Sequence, residues 1–280
     1  MTNFFVEIRP AQHLLQYIKS YWYLSIDTGD SFFEERIIPD GCAEIIVHLG
    51  DSMSRQSISG QKFFDARSKL IGQPTEPYII TSEGKIQIFG IRFFPHTLNF
   101  FFKAPSNETI NSFYGLDILG FDSKKQFEEN INNCARPGEM ATIADRFMTR
   151  RLRQINCSKF NYTDFAIKKI IASFGEIKIK EIEAMLGLSN KYLERIFLEW
   201  LGITPKTFAQ IVRLQNILRK AGKKNSLTNL ALDCGYFDQA HFIRNFRQYT
   251  GTSPLHYFKE QGLITKNFTN SSISSILYNS

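Results

Sequence analysis

With 280 residues, 43% hydrophobic and 22% charged, the chain suits one large domain or two ordinary ones, and is not a wholly disordered chain, a collagen-like repeat or a disulfide-stapled miniprotein. Its formal charge of +7 is unevenly held: residues 1–158 carry 17 Lys and Arg against 18 Asp and Glu, a balance of −1, and residues 159–280 carry 17 against 9, a balance of +8. Such asymmetry suggests a polyanion-binding module joined to a near-neutral partner, the alternative being a merely well-solvated basic surface.

Residues 1–10 carry Glu7 and Arg9 and no apolar run before a small-residue cleavage site, so no secretory leader is expected. No stretch of about 18 apolar residues predicts a membrane span. Residues 11–22 read as a helix. Short strands and turns follow. Arg36-Ile37-Ile38 runs into the turn Pro39-Asp40-Gly41, and residues 43–49 are closed by Gly50-Asp51-Ser52. Residues 69–71 precede Gly72 and Pro74, and residues 78–81 are closed by Ser82-Glu83-Gly84. Residues 85–93 alternate between polar and apolar up to Phe89, the period of a half-buried strand. Strands at this spacing predict a small barrel or sandwich. A further helix is expected after Pro95. Phe93, Phe94 and Phe101, with Phe100 and Phe102, are candidates to line an apolar ligand cavity, with core or dimer packing as the alternative.

From Ser123 the pattern turns helical, first to Glu129 and then, after Pro137-Gly138, over residues 139–154. The second stretch carries Arg146, Arg150, Arg151 and Arg153, read as a solvated face joining two domains, with a DNA contact as the alternative. Residues 155–158 read as a hinge. Cys42, Cys134, Cys157 and Cys234 are scattered without a CxxC pair, which argues against a zinc ribbon or a disulfide framework and fits free thiols in a reducing cytoplasm. The Ser- and Asn-rich residues 266–280 read as a flexible tail.

The C-terminal part contains a repeat. Ser189-Asn190-Lys191-Tyr192-Leu193-Glu194-Arg195-Ile196-Phe197 through Gly202-Ile203-Thr204-Pro205 matches Asp238-Gln239-Ala240-His241-Phe242-Ile243-Arg244-Asn245-Phe246 through Gly251-Thr252-Ser253-Pro254 at an offset of 49. Each copy reads as helix, glycine turn, helix. Gly187 ends the first helix by accepting left-handed backbone, and Ser189 or Asp238 caps the next. Leu193, Ile196, Phe197 and Trp200 form one buried stripe. Thr204-Pro205 then starts a helix with proline where its missing N–H does no harm. This is the helix-turn-helix arrangement, here over residues 178–200 and 227–250.

The exposed residues of each second helix are side chains suited to base edges: Arg or Lys to guanine, Asn or Gln to adenine, Glu to cytosine. Asn190, Lys191, Glu194 and Arg195 are the candidates in the first copy, and Gln239, Ala240, His241 and Arg244 in the second. Residues 205–221 form an unbroken helical pattern of about 25 Å, able to hold two reading heads about one DNA turn apart, ~34 Å. Lys180, Thr204, Lys206, Arg213, Lys223, Lys224 and Arg247 are candidates for phosphate contact. No P-loop, dinucleotide fingerprint or Gly-x-Ser-x-Gly appears.

On these residues, 160–261 resembles the DNA-binding domain of the AraC/XylS transcriptional regulators, the second unit being the more specific match. Where Ala240 stands the family usually has a small residue followed by His-Phe, then Arg and Phe, as here. The resemblance implies base reading by Lys191, Glu194 and Arg195 and by Gln239, Ala240, His241 and Arg244. Glu194 is an acceptor where many members carry a donor. Residues 1–150 resemble a sensor domain found before this module, through Tyr21-Trp22, Ile38-Pro39-Asp40-Gly41 with Glu44-Ile45-Ile46, Ile71-Gly72-Gln73-Pro74 and Gly90-Ile91-Arg92-Phe93. That resemblance implies a cupin-like β-fold of unassigned ligand. Pro95-His96-Thr97 replaces the Pro-Gly-Gly often seen there. A cupin metal site needs more His than the Glu44, His48 and His96 available, so no metal is expected.

The expectation is a two-domain α+β protein. Residues 1–155 form a mainly β, cupin-like sensor or dimerisation domain, with strands to about 122 and linker helices over 123–155. Residues 160–261 form an all-α module with two helix-turn-helix units. The expected function is that of a cytoplasmic, bacterial-type transcriptional regulator, not an enzyme, reading two successive major grooves of double-stranded DNA without a cofactor. It is expected as a homodimer, with a small-molecule effector and RNA polymerase as candidate partners. The alternatives are a cupin-like metal-dependent enzyme, or a ligand-independent interaction domain, fused to the DNA-binding module.

Overall fold

The computed structural model describes residues 4–51, 53–57, 60, 62–64, 66–102, 106–116, 124–155, 157–221, 227–236 and 238–259. The N-terminal part is built on antiparallel strands β1 (Phe4–Ile8), β2 (Ile18–Ile37), β3 (Glu44–His48), β4 (Met53–Ser57), β5 (Lys62–Phe64), β6 (Ser68–Ile71) and β7 (Tyr78–Phe93), with helix α1 (Ser106–Thr109) and strand β8 (Phe113–Gly115). The sheet runs β1-β2-β7-β3-β6-β8, with β4 between β7 and β5. This is the mainly β part of an α+β fold.

Two sequence expectations fail here. Residues 11–22 hold only a short 3-10 turn, Gln12–Leu14, before β2 begins. Residues 78–93 form one strand, not two, with Gly84 inside it at φ +79°. Burial on both faces explains the first, and the pairing of residues 78–83 with the distant strands β2 and β4 explains the second. On β7, Ile86 and Ile88 point to one face and Phe89, Ile91 and Phe93 to the other, and all five are buried. On β2, Trp22, Leu24 and Ile26 share the first face with Ile46, Ile71, Ile86 and Ile88. Tyr21 and Tyr23 share the second with Ile45, Val47 and Phe89. A strand covered on both sides reads as continuous apolar chain, without alternation. The β2–β7 ladder absorbs its irregularity between Asp27 and Phe32, opposite the Gly84 bend. Gly90 is required because a Cβ there would lie 2.1 Å from the Trp22 indole.

Helices α2 (Lys124–Asn132) and α3 (Pro137–Arg151) follow. They pack against the sheet through Phe127, Ile131, Met140, Ala144 and Met148. The Asp145 carboxylate accepts from the Tyr21 hydroxyl at 2.8 Å and from the Ala11 amide at 2.9 Å, binding α3 to the strands. The arginine run of α3 divides. Arg151 lies over the Phe102 ring, and Arg153 donates to the carbonyls of Asn99 and Phe102. These two are internal struts, and Arg146 and Arg150 remain exposed.

The remaining helices are α4 (Ser158–Ala172), α5 (Ile179–Leu186), α6 (Asn190–Leu201), α7 (Pro205–Ala221), α8 (Leu227–Leu232), α9 (Gln239–Thr250) and α10 (Pro254–Lys259). Their buried side chains continue the sheet's second-face core without a break. Phe100 carries that continuity, its ring meeting Phe160 of α4 at 4.9 Å and Trp200 of α6 at 6.0 Å. Among the described residues no helix is long and apolar enough to cross a membrane. The tail expected at 266–280 lies outside the described residues.

Candidate nucleic-acid interface

The local chemistry of the repeat builds two near-identical units. In the first, α5 ends on Gly187 at φ +65°. The Ser189 hydroxyl then accepts from the Tyr192 amide at 3.3 Å and starts α6. Leu193, Ile196, Phe197 and Trp200 face inward, and Gly202 ends the helix at φ +76°. In the second, Gly235 turns at φ +73° and the Asp238 carboxylate accepts from the His241 amide at 2.7 Å. Phe242, Phe246 and Tyr249 are buried, and Gly251 ends α9 at φ +73°. Pro205 and Pro254 open the following helices. The single helix α7, 17 residues long, joins the two units.

This packing leaves the opposite stripes free. Asn190, Lys191 and Arg195 are exposed on α6, with Glu194 half-buried. Asn190 donates to the Glu183 carboxylate at 2.8 Å, which ties it to α5. The Arg195 guanidinium sits 4.7 Å above the Tyr192 ring. On α9, Gln239, Ala240 and Arg244 are exposed and His241 is half-buried against Tyr236, ring centroids 5.3 Å apart. Each set therefore clusters on the first two turns of its helix.

The expected phosphate contacts separate into three groups. Lys180, Lys206 and Arg247 are exposed. Arg213 and Thr204 are committed elsewhere. Arg213 donates to the Gly175 carbonyl at 2.7 Å and lies 5.4 Å above the Tyr236 ring, so it braces the module from inside. The Thr204 hydroxyl accepts from the Thr207 amide at 3.1 Å and caps α7. Lys223 and Lys224 fall outside the described residues.

The aromatic candidates for a ligand cavity are packing. Phe93 and Phe101 are buried, with ring centroids 5.4 Å apart, on the sheet face that meets the helices, and Phe94 is half-buried beside them. Glu44, His48 and His96 are not brought together. Glu44 and His48 lie on β3, whereas His96 meets the Asp164 carboxylate at 3.2 Å and stacks on Phe160 of α4. Among the described residues no group of three or more His, Cys, Asp or Glu could hold a metal ion.

Sequence reasoning missed a buried charge cluster on the first sheet face. Arg92 pairs with Asp40 and lies 3.4 Å from the Glu44 carboxylate. Lys19 and Glu7 complete the group. Burial pulls the Lys19 ammonium down to about 8 and pushes the Glu44 carboxyl up to about 7. No signal marked it, because the strands that deliver these residues pair with partners far along the chain, as Ser20 with Arg92.

A cleft of about 540 Å³ runs between the two parts of the chain, lined among others by Thr75, Glu76 and Pro77 on one side and Leu198, Arg247 and Tyr249 on the other. Arg247, expected at a phosphate, stands at this cleft.

Residues 6–114 match a family described as a domain of unknown function, DUF6597, and residues 182–260 match a helix-turn-helix domain. The chain is 29% identical over 140 residues to the Msm operon regulatory protein of Streptococcus mutans, covering 47% of this chain and 49% of that protein. It is 33% identical over 87 residues to an uncharacterized HTH-type transcriptional regulator of Haemophilus influenzae, covering 30% and 29%. The match thus spans about half the length of the first relative and under a third of the second. Among solved structures, ToxT from Vibrio cholerae aligns with 88% of this chain and 100% of its own at a TM-score of 0.47 and 11% identity.

Proposed function

We propose that the chain is a regulator of the AraC/XylS type, which binds double-stranded DNA in a sequence-dependent manner and regulates transcription, without enzymatic activity; the helix-turn-helix match over residues 182–260 and the likeness to regulatory proteins support this reading. The observation that carries this reading is the pair of capped helices on one connector, each with an exposed polar first half. That half is the end which enters a major groove in this motif. Asn190, Lys191, Glu194 and Arg195 read one groove, and Gln239, Ala240, His241 and Arg244 the next. Ala240 is short enough to meet a thymine methyl. Lys180 and Lys206 hold phosphates, which gives affinity and register without sequence choice. The N-terminal domain biases this binding, through a small-molecule effector or by pairing two copies, in the cytoplasm and in reach of RNA polymerase.

Two variants test the reading against DNA that the wild-type protein selects from random duplexes. Arg244→Ala is expected to weaken binding by ~1–3 kcal/mol and to relax preference at one base position. Lys206→Ala is expected to weaken all sequences alike and lower the salt slope by about one. If both variants bind the selected DNA as the wild type does, this docking is wrong. An effector would show as a shift in melting temperature of the full chain with a metabolite pool, since a ligand acts only through different affinity for two states.

A further inference from the structure

We infer that the N-terminal unit sets the two reading helices in register by capping both from outside, with Arg36 and Asn99 as the positioning residues. The inference rests on the two-groove reading above and adds the device that fixes it. An α-helix leaves its last four carbonyls without partners inside the helix and carries the negative end of its dipole there. In α9 the last residue is Thr250, and its carbonyl accepts from the Arg36 guanidinium at 3.1 Å. In α6 the carbonyl of Glu199, in the last turn, accepts from the Asn99 side-chain amide at 3.4 Å. Both donors belong to the N-terminal unit. Arg36 is the penultimate residue of β2 and Asn99 sits in the short 3-10 turn Leu98–Phe100.

A third anchor holds the connector. Gln215 of α7 donates to the Pro39 carbonyl at 2.7 Å. Next along that loop, Gly41 has φ +85°, and a Cβ there would lie 3.1 Å from the Phe208 ring of α7. The loop is itself tied to the sheet, since Asp40 pairs with buried Arg92 and accepts from the Cys42 amide at 2.9 Å. The N-terminal unit therefore touches each reading helix at its far end and the helix between them. None of these contacts falls on Asn190, Lys191, Arg195, Gln239 or Arg244, so the clamp orders the reading surfaces without covering them. Freedom removed before binding does not have to be removed during it, and two ordered heads discriminate spacing more sharply than two loose ones.

The test uses the full chain and the duplex selected by the wild-type protein, alone and with one base pair inserted between its half-sites. Insertion turns the second groove by about a tenth of a helical turn. The wild type is expected to bind the inserted duplex about tenfold more weakly or worse. The double variant Arg36→Ala/Asn99→Ala is expected to lose most of that discrimination, to about threefold or less. Arg36→Lys with Asn99 intact is expected to keep it. General damage to the module would weaken both duplexes together and preserve the ratio, and that result overturns the inference. A wild-type protein that selects no DNA sequence overturns the two-groove reading itself, before any variant is made.

Discussion

A Gly175→Ala protein is expected to bind its selected DNA about a hundredfold more weakly than the wild type, and to melt earlier. Gly175 lies at the corner between α4 and α5 with φ +78°. A Cβ at this position would stand 2.2 Å from the Ala209 carbonyl oxygen and 2.9 Å from the Arg213 amide. Both are backbone atoms of α7, which cannot rotate aside. Left-handed backbone in a residue with a Cβ costs about 1–2 kcal/mol, and overpacking a tight contact another ~1–3. The sum, about 2–5 kcal/mol, spans the ~2.7 kcal/mol that a hundredfold loss represents. The strain has one exit, which is for the corner to move away from the connector. That movement breaks the 2.7 Å bond from Arg213 to the Gly175 carbonyl. Arg213 also lies over Tyr236, which begins the approach to α9 and donates from its hydroxyl to Asn245 at 2.6 Å. The displacement therefore reaches α9 by that chain of contacts and α6 through α5, which packs against it. Gly138→Ala is the control: a methyl added there, in the first turn of α3, would meet nothing within 4 Å, and the change should be neutral or stabilise by up to ~1 kcal/mol. Thermal melting and DNA titration of the pair check this, and equal melting of Gly175→Ala and wild type would show that the corner is not welded to α7.

The contrast between the halves of the chain shows where sequence carries structure. In the C-terminal module the decisive residues act locally. Ser189 and Asp238 cap helices by bonding amides three residues on, at Tyr192 and His241. Gly202 and Gly251 end them by their own dihedral angle. Such events are written in the order of residues, and the repeat writes them twice. In the N-terminal sheet the decisive events are pairings between Ser20 and Arg92, or Glu44 and Ile71, and nothing local records them. The apolar residues of 14–24 fit a helical stripe as well as a strand buried on both sides, and only β1 and β7 on either flank decide for the strand. The same limit hid the inward turn of Arg213. Its charge marked it for phosphate, and its partner, Gly175, lies 38 residues away.

A Glu44→Gln protein is expected to be more stable than the wild type at pH 8, by about 2 kcal/mol, and equal to it near pH 4. Glu44 lies beside Arg92 on a covered sheet face, with Lys19 and Glu7 in its electrostatic reach. Burial raises its folded-state value from 4.5 to about 7. Between those values the folded protein holds more protons than the unfolded chain, so stability falls as pH rises through the window. Above about 7 the whole penalty is present, and below 4.5 it is gone. A glutamine mimics the protonated acid and keeps an acceptor oxygen on the side of the Trp22 indole. The full shift corresponds to about 3 kcal/mol, reduced here because the carboxyl retains some contact with solvent. Lys19 works in the opposite sense. Its folded-state value falls from 10.5 to about 8, so the unfolded chain holds more protons there and stability rises with pH between those values. The wild type should therefore be least stable near pH 7–8, and the glutamine variant should lose the descending limb below 7 while keeping the rise above 8. Superimposable melting profiles for the two proteins from about pH 5 to 8 would remove the ionised buried carboxylate from the explanation. A destabilising charge beside the Arg92–Asp40 pair also touches the loop that holds Gln215 of the connector, so the same titration, followed by DNA binding, reports how firmly the sheet is joined to the reading helices.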